Sequence, residues 1–415
     1  MKSVNPGRVS GSVNAPSSKS IFQRAAAAAC LAAGTSRIGV RSLSDDALSS
    51  LRVVRSLGAV TEVSSDTVSV TGGGRPDGSD LDCGESGLCL RMFTAIAAIY
   101  DMKLTLTASG SLGTRPVDMA CGPLESLGAS CETLNGHAPV KVRGPARGGR
   151  VQVDTAVTSQ FLTGLLLALP CCEKDSEMIV INPVSTPYVR MTVQTAAEYG
   201  IGIESNAGFS RFEIRGRQKY SPAVFSVEGD WSGASFLLVA GAIAGKMTAV
   251  GLNPASCQAD ARIVEALEKA GAAVSVRGDS VSVGKQDLRA FEFDATDCPD
   301  LFPPLAALAA NCEGTSMIKG ADRLVHKESN RARALESEFS KLGTVIKTAD
   351  NRMMITGATY TGGEVDAHGD HRIAMAMATA ALTANGPVDI SGSESIAKSY
   401  PDFFDDLASS GARIE

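Results

Sequence analysis

Several cations stand where a buried helix would exclude them. Lys19 and Arg24 open the alanine-rich run "SSKSIFQRAAAAAC", Arg91 follows "GESGLCL", and His371 and Arg372 begin "HRIAMAMATAA". The first turn of a helix already presents partial positive charge, so a cation there is disfavoured unless something negative joins it. Serine, threonine and aspartate at the same starts are accounted for by N-capping, because their oxygens accept amide hydrogens. Lysine and arginine have no acceptor to offer, and a helix N-terminus reinforced by cations is an anion site. Ser20 and Arg24, one turn apart, would face that site together.

Other segments extend the inventory. Arg115 precedes a proline in the loop-like "GTRPVD", and Lys398 lies between small residues in "SIAKSYPD". In "RLVHKESNRAR" the spacing predicts one helical turn carrying Lys327, Glu328 and Arg331, with Lys327 and Arg331 as like-charged i,i+4 neighbours. Asp300 in "CPDLFPP" and Glu328 are carboxylates able to move protons. Taken singly, Arg115 reads as a surface arginine, Asp300 as a helix cap and Glu328 as an ion-pair partner. Taken together, the set binds a multiply charged anion and adds a pair of acid/base groups. "PSSKS" lacks the glycines of a phosphate-binding P-loop.

These residues must be positioned by a repeated architecture. Six stretches with a helical pattern end on a glycine and run into a strand-like segment, at Gly58, Gly128, Gly200, Gly271, Gly343 and Gly411, about 70 residues apart. Between them lies a second kind of helix, apolar on every side: "SKSIFQRAAAAACLAAG", "SGLCLRMFTAIAAIYD", "TSQFLTGLLLALPCC", "DWSGASFLLVAGAIAG", "CPDLFPPLAALAANCEG" and "DHRIAMAMATAALTANG". A helix apolar all round is buried all round. With short strands such as "TVSVTG", "KLTLTAS", "MIVINPV" and "MTAVGL", each repeat is a small βαβ-type unit, and six of them suggest two halves of three. The crossovers are expected at "NAPSSKS" and "VFSVEGDWSGAS", giving one domain of residues 1–17 plus 228–415 and an inserted one of 18–227.

Composition narrows the function. The chain has 415 residues, 44% hydrophobic and 20% charged, with a net charge of −6, which describes a globular protein and gives no reason to expect nucleic acid as a partner. The N-terminus lacks the apolar core of a signal peptide and no run is long enough to span a membrane, so a cytoplasmic protein is expected. The ten cysteines fall at apolar positions such as Cys30, Cys89 and Cys312, and read as buried free thiols. Neither they nor His137, His326, His368 and His371 show zinc-ligand spacing, so no metal is expected.

The runs "SSKSIFQRA", "TSQFLTGLLLA", "STPYVRMT", "HKESNRA" and "GDHRIAMA", in this order along nearly the whole chain, resemble the 5-enolpyruvylshikimate-3-phosphate synthase family. The resemblance implies a two-domain inside-out α/β barrel of six βαβαββ units, three per domain, with the N-termini of buried helices facing an interdomain cleft. It implies transfer of the carboxyvinyl group of phosphoenolpyruvate to the 5-hydroxyl of shikimate 3-phosphate, with release of phosphate, no cofactor, and a monomer whose partners are those two small molecules. Lys19, Ser20, Arg24, Thr158, Ser159, Gln160, Ser185, Asp300 and Lys327 would bind shikimate 3-phosphate. Lys19, Gly87, Arg115, Gln160, Arg331, Arg372 and Lys398 would bind phosphoenolpyruvate. Asp300 would take the proton of the 5-hydroxyl, Glu328 would protonate the methylene carbon, and Lys19 would touch both substrates.

Each substrate brings about three negative charges, so the cations needed to hold them repel one another until anions arrive, and closure of the domains on binding is expected. The chain departs from the family where Asn-Ala-Gly-Thr reads Glu85-Ser86-Gly87-Leu88, a stretch that bears on phosphoenolpyruvate affinity and on the inhibitor glyphosate. Thr158 replaces a usual serine and Arg323 a usual asparagine. The rival with the same donor is the UDP-N-acetylglucosamine enolpyruvyl transferase pattern, which has a cysteine where this chain has Gly110, and leucine in place of His371. A non-catalytic anion-binding relative would be expected to lose one carboxylate, yet Asp300 and Glu328 are both present.

Overall fold

Two kinds of helix alternate along the chain. The computed structural model describes residues 1–325 and 327–415, and His326 lies outside them. In chain order the helices are α1 Lys19–Leu31, α2 Asp45–Ser56, α3 Gly87–Ala97, α4 Cys121–Ser126, α5 Gln160–Ala168 and α6 Thr186–Glu198, then α7 Trp231–Ala244, α8 Ile263–Ala270, α9 Phe302–Ala309, α10 Arg331–Lys341, α11 His371–Ala381 and α12 Phe403–Ser409. The odd-numbered six are the all-apolar runs. Every residue of α3, α7, α9 and α11 is buried, as are Ile21–Cys30 of α1 and Phe161–Ala168 of α5.

The even-numbered six are one-sided. In α8 the buried residues are Ile263, Ala266, Leu267 and Ala270, the i, i+3, i+4, i+7 stripe of a helix lying on a core. All six end alike: Gly58, Gly128, Gly200, Gly271, Gly343 and Gly411 have φ between +82° and +105°. The residue after each glycine donates its N–H back six positions inclusive, as Ala59 does to Val54 O and Thr344 to Phe339 O. This is the Schellman stop, whose left-handed residue favours a glycine.

Six four-stranded sheets carry the helices. In each, the first strand runs parallel to the second and the other two are antiparallel, as in Arg150–Asp154, Ser176–Ile181, Arg211–Ile214 and Glu204–Ser205. Three repeats are continuous βαβαββ stretches; the other three are completed by strands from elsewhere in the chain. Val224–Ser226 pairs with Gly34–Gly39, Val9–Asn14 with Gly245–Val250, and Lys2–Asn5 closes the sheet of Val388–Ser391.

By its contacts the chain divides into two compact units, Met1–Ser18 with Glu228–Glu415, and Lys19–Val227. Each holds three repeats. Within Lys19–Val227, α3 packs directly on α5, and a Cβ at Gly164 would stand 2.3 Å from Met92 O, so glycine is what permits the approach. Within the other unit α7, α9 and α11 pack on one another. All ten cysteines are free thiols and seven of them are buried. Among the described residues, no helix is long and apolar enough to cross a membrane.

Candidate active site

In the unit containing both chain ends, one guanidinium is the hub of a cluster of carboxylates. Arg331, the first residue of α10, is 1% exposed. Its Nε donates to Asp370 Oδ2 at 2.8 Å, its Nη1 to Asp300 Oδ1 at 2.7 Å, and its Nη2 to Glu328 Oε2. Lys327 Nζ also donates to Asp300 Oδ1, at 3.2 Å, and Arg372 Nη2 donates to Asp300 Oδ2 at 3.1 Å. Asp300 therefore receives three cations, and Glu328 shares Arg331 with it.

Local folding explains the placement. Asp300 lies in the 3-10 turn Pro299–Leu301 that leads into α9, and Asp370 caps α11 by accepting the Arg372 N–H at 3.0 Å. Burial works against the charge of Arg331, but Asp370, Glu328 and Asp300 outweigh it and hold the guanidinium protonated well beyond its ordinary range. Burial, and more weakly Arg331, likewise oppose the charge on Arg372, but Asp300, with smaller pulls from Asp260 and Asp230, raises its pKa above the ordinary range. Lys327 goes the other way: burial lowers its pKa, and Asp300 only partly compensates. Arg372 Nη1 is buried and has no hydrogen-bond partner among the described residues, so one donor of this cluster is still unspent.

Beside the cluster, buried Asp260 accepts a hydrogen bond from Ser232 Oγ on the first turn of α7. Burial, the Asp300 charge and, more weakly, Asp230 push its carboxyl up to about 7, against the opposing pull of Arg372 and Ser232. Lys398, ending the 3-10 turn Ser393–Lys398, donates from Nζ to Gly369 O at 2.8 Å in the loop before α11.

In the unit Lys19–Val227, the starts of α1, α3 and α5 are tied together. Gln23 Nε2 donates to Ser86 Oγ at 2.8 Å, and Arg91 Nη1 donates to Gln160 Oε1 at 2.7 Å. Arg24 Nε donates to Thr192 Oγ1 at 2.9 Å, its Nη1 to Ser20 O at 2.7 Å, and its Nη2 to Thr163 Oγ1 at 3.1 Å. Lys19, the first residue of α1, is paired through Nζ with Asp46 Oδ2 at 2.8 Å. Arg91 also donates to Pro116 O, from Nη2 at 2.8 Å, and so anchors the loop that carries Arg115.

Gly87 sits under both guanidiniums. A Cβ there would be 3.0 Å from Arg115 Nη1 and 3.1 Å from Arg91 Nη1. Glu85 packs against the same loop, with Oε2 2.3 Å from where a Cβ on Gly110 would lie. Gly110 also has φ +53°, so both the space and the backbone there suit glycine. Thr158 Oγ1 accepts the Gln160 N–H at 3.2 Å, Ser159 is buried at the start of α5, and Ser185 precedes α6 with its backbone in the left-handed region.

Thus Asp300, Lys327, Glu328, Arg331 and Arg372 meet in one unit, with Lys398 reaching the loop before α11. Ser20 with Arg24, Gly87 with Arg115, and Gln160 through Arg91 are brought together in the other. The helical turn expected over 327–331 is not formed. Asn330 caps α10 by accepting the Arg333 N–H, so the helix starts at Arg331 and Lys327 lies in the preceding loop. There its ammonium shares the carboxylate of Asp300 with Arg331, and the like-charge helical pair does not arise.

Sequence reasoning passed over Asp46, Asp260 and Asp370. Asp370 had a signal in "GDHR", a capping aspartate before two cations. Asp46 and Asp260 had none beyond a helix start, because their partners are distant in sequence.

Fold and clusters define a class: a six-repeat α/β protein with cations gathered at the starts of several of its buried helices, and in one unit beside the carboxylates Asp300 and Glu328. Comparison with known proteins agrees. The profile described as EPSP synthase (3-phosphoshikimate 1-carboxyvinyltransferase) matches residues 4–407. The chain is 35% identical to the 3-phosphoshikimate 1-carboxyvinyltransferase of Clostridium novyi, over 99% of this chain and 98% of that one. It is 39% identical to that of Thermococcus kodakarensis, over 96% and 97% respectively. Its fold matches the solved EPSP synthase of Acinetobacter baumannii with a TM-score of 0.83 at 25% identity, covering 100% of this chain and 99% of that one. The chain belongs to the EPSP synthase family.

Proposed function

We propose that the two clusters are the substrate and acid/base groups of the family reaction. The protein transfers the carboxyvinyl group of phosphoenolpyruvate to the 5-hydroxyl of shikimate 3-phosphate and releases phosphate, a step of the shikimate pathway to aromatic amino acids. The observation that carries the residue assignment is the meeting of Lys327, Arg331 and Arg372 on Asp300, with Glu328 on the same Arg331.

The reaction needs an acid and a base acting across one new bond. The central carbon of phosphoenolpyruvate becomes electrophilic only when its methylene neighbour takes a proton, and we assign that proton to Glu328. Asp300 takes the proton of the 5-hydroxyl as its oxygen bonds to the central carbon. The tetrahedral adduct then returns a proton from its new methyl group to the Glu328 carboxylate as the phosphate departs with the proton held by Asp300, which restores the double bond and both carboxyl groups. Arg331, Arg372, whose Nη1 is an unspent buried donor, and Lys398 would hold phosphoenolpyruvate with Lys19, Gly87, Arg115 and Gln160.

Lys19, Ser20, Arg24, Thr158, Ser159, Gln160, Ser185 and Lys327 would hold shikimate 3-phosphate. The domain limits 1–17 plus 228–415 and 18–227 belong to this reading, as does a monomer working in the cytoplasm, where soluble anionic metabolites are its partners. Phosphate release from phosphoenolpyruvate tests it, with shikimate 3-phosphate or UDP-N-acetylglucosamine as acceptor and Asp300→Ala as control. Turnover with shikimate 3-phosphate alone is expected. Turnover with only the sugar nucleotide, or none, overturns the reading.

A further inference from the structure

Glu338 is a carboxylate with no exposed surface, two turns along α10 from Arg331 and on the same face. Its Oε2 accepts the Asp366 N–H at 2.8 Å and Lys341 Nζ at 2.6 Å, and its Oε1 lies 2.8 Å from His368 Nε2. Asp366 ends the strand Gly363–Asp366, and residues 366–370 form the loop into α11. Arg331 grips the far end of this loop at Asp370, so α10 holds it with two charged contacts of opposite sign.

The loop is also held by its own backbone, where the Ala367 N–H donates to Ser391 O at 2.9 Å and the Asp370 N–H donates to Ala367 O at 2.8 Å, and Glu338 and Arg331 fasten it to α10. His368 is in the left-handed region at φ +53°, a conformation that a non-glycine residue keeps only when its surroundings impose it. Its N–H donates to Asp366 Oδ1, and the next carbonyl, Gly369 O, receives Lys398 Nζ at 2.8 Å. Burying a carboxylate is a poor way to gain stability when an apolar side chain of similar volume would pack at lower cost. Here two of its contacts, from the Asp366 N–H and with His368 Nε2, go to one loop, and the third is to Lys341 of its own helix. Burial pulls its pKa up, but the bonds from Lys341, Asp366 and His368 outweigh this and keep it ionised below the usual range.

We infer that Glu338 is a positioning residue for the phosphoenolpyruvate half of the site, fixing the loop Asp366–Asp370 so that Asp370 holds Arg331 and the α11 start bearing Arg372, and the Gly369 carbonyl holds Lys398, in register. The inference rests on the assignment of those three cations to phosphoenolpyruvate. Hydrogen-bond partners that orient the ligands of a metal site contribute roughly 10- to 100-fold when removed, and that order is carried over to the cations this loop orients.

The test is steady-state kinetics of the full chain with each substrate varied, alongside thermal unfolding. Glu338→Ala is expected to raise KM for phosphoenolpyruvate by roughly 10- to 100-fold, with KM for shikimate 3-phosphate changed by less than about threefold. Glu338→Gln, which keeps an acceptor for the Asp366 N–H, should recover most of the loss. His368→Ala removes one half-exposed contact without touching the buried carboxylate, so it keeps the test open if Glu338→Ala does not fold. It should raise the same KM by a smaller factor. Equal shifts in both KM values, or unfolding at lower temperature with both KM values unchanged, overturn the inference. A wild-type protein inactive with both substrates would instead overturn the assignment beneath it.

Discussion

Replacing Asp300 by Asn keeps the shape of the side chain and removes its charge. In the structure that charge serves Arg331 at 2.7 Å, Arg372 at 3.1 Å and Lys327 at 3.2 Å. Charge-assisted hydrogen bonds contribute about 1.5–3 kcal/mol each, but these share one carboxylate and do not add. Arg331 keeps Asp370 and Glu328, and the Asp300 side chain is 21% exposed, so solvent screens part of the attraction. A loss of about 2–3 kcal/mol in unfolding free energy follows, at the low end for breaking a buried pair.

The catalytic loss is larger. Removing a general base costs about 10²–10⁴ in kcat. KM for phosphoenolpyruvate should not rise, because Asp300 competes with that anion for Arg331 and Arg372 and the amide does not. The assay is phosphate release with both substrates varied, beside urea unfolding of the same preparation. A kcat within tenfold of wild type, or a KM raised a hundredfold at unchanged kcat, would refute the assignment of Asp300 as base.

Two further outcomes come from other parts of the same geometry. Asp260 has its carboxyl raised from 3.8 to about 7, so its contribution to stability is fully present below pH 4 and is lost as pH rises through 7. Asp260→Asn removes this titration, so its stability relative to wild type should climb between pH 5 and pH 8 in urea unfolding, and parallel profiles would contradict the account. Gly164→Ala places a methyl group 2.3 Å from Met92 O between α3 and α5, and should cost about 1–3 kcal/mol in the same measurement. An unchanged unfolding midpoint would show that the two helices separate easily.

Much of the fold was legible because it depends on local patterns repeated six times. A glycine after a one-sided helix forces the same stop at Gly58 and at Gly411, and an all-apolar helix has only the interior to occupy. The borrowed strands were not legible: nothing in Lys2–Asn5 says that its partner is Val388–Ser391, since pairing across the chain is decided by packing. The site divides the same way. Cations at helix starts stood out because they violate a local rule, whereas Glu338 obeys one, reading as an ordinary i,i+3 partner of Lys341 until its burial and its loop contacts are seen. The misplaced start of α10 had a local cause too. Asn330 is a capping residue, and it outweighed the charge spacing over 327–331.

The central claim is that Glu328 delivers a proton to the methylene carbon of phosphoenolpyruvate while Arg331 holds both in place. Turnover in deuterium oxide measures this directly, with deuterium read by mass spectrometry at the methylene carbon of the product. Wild type should incorporate deuterium there, because the transient methyl group loses either isotope on elimination, and Glu328→Gln should lose incorporation and turnover together by about 10²–10⁴. Incorporation by Glu328→Gln at the wild-type rate would contradict the account.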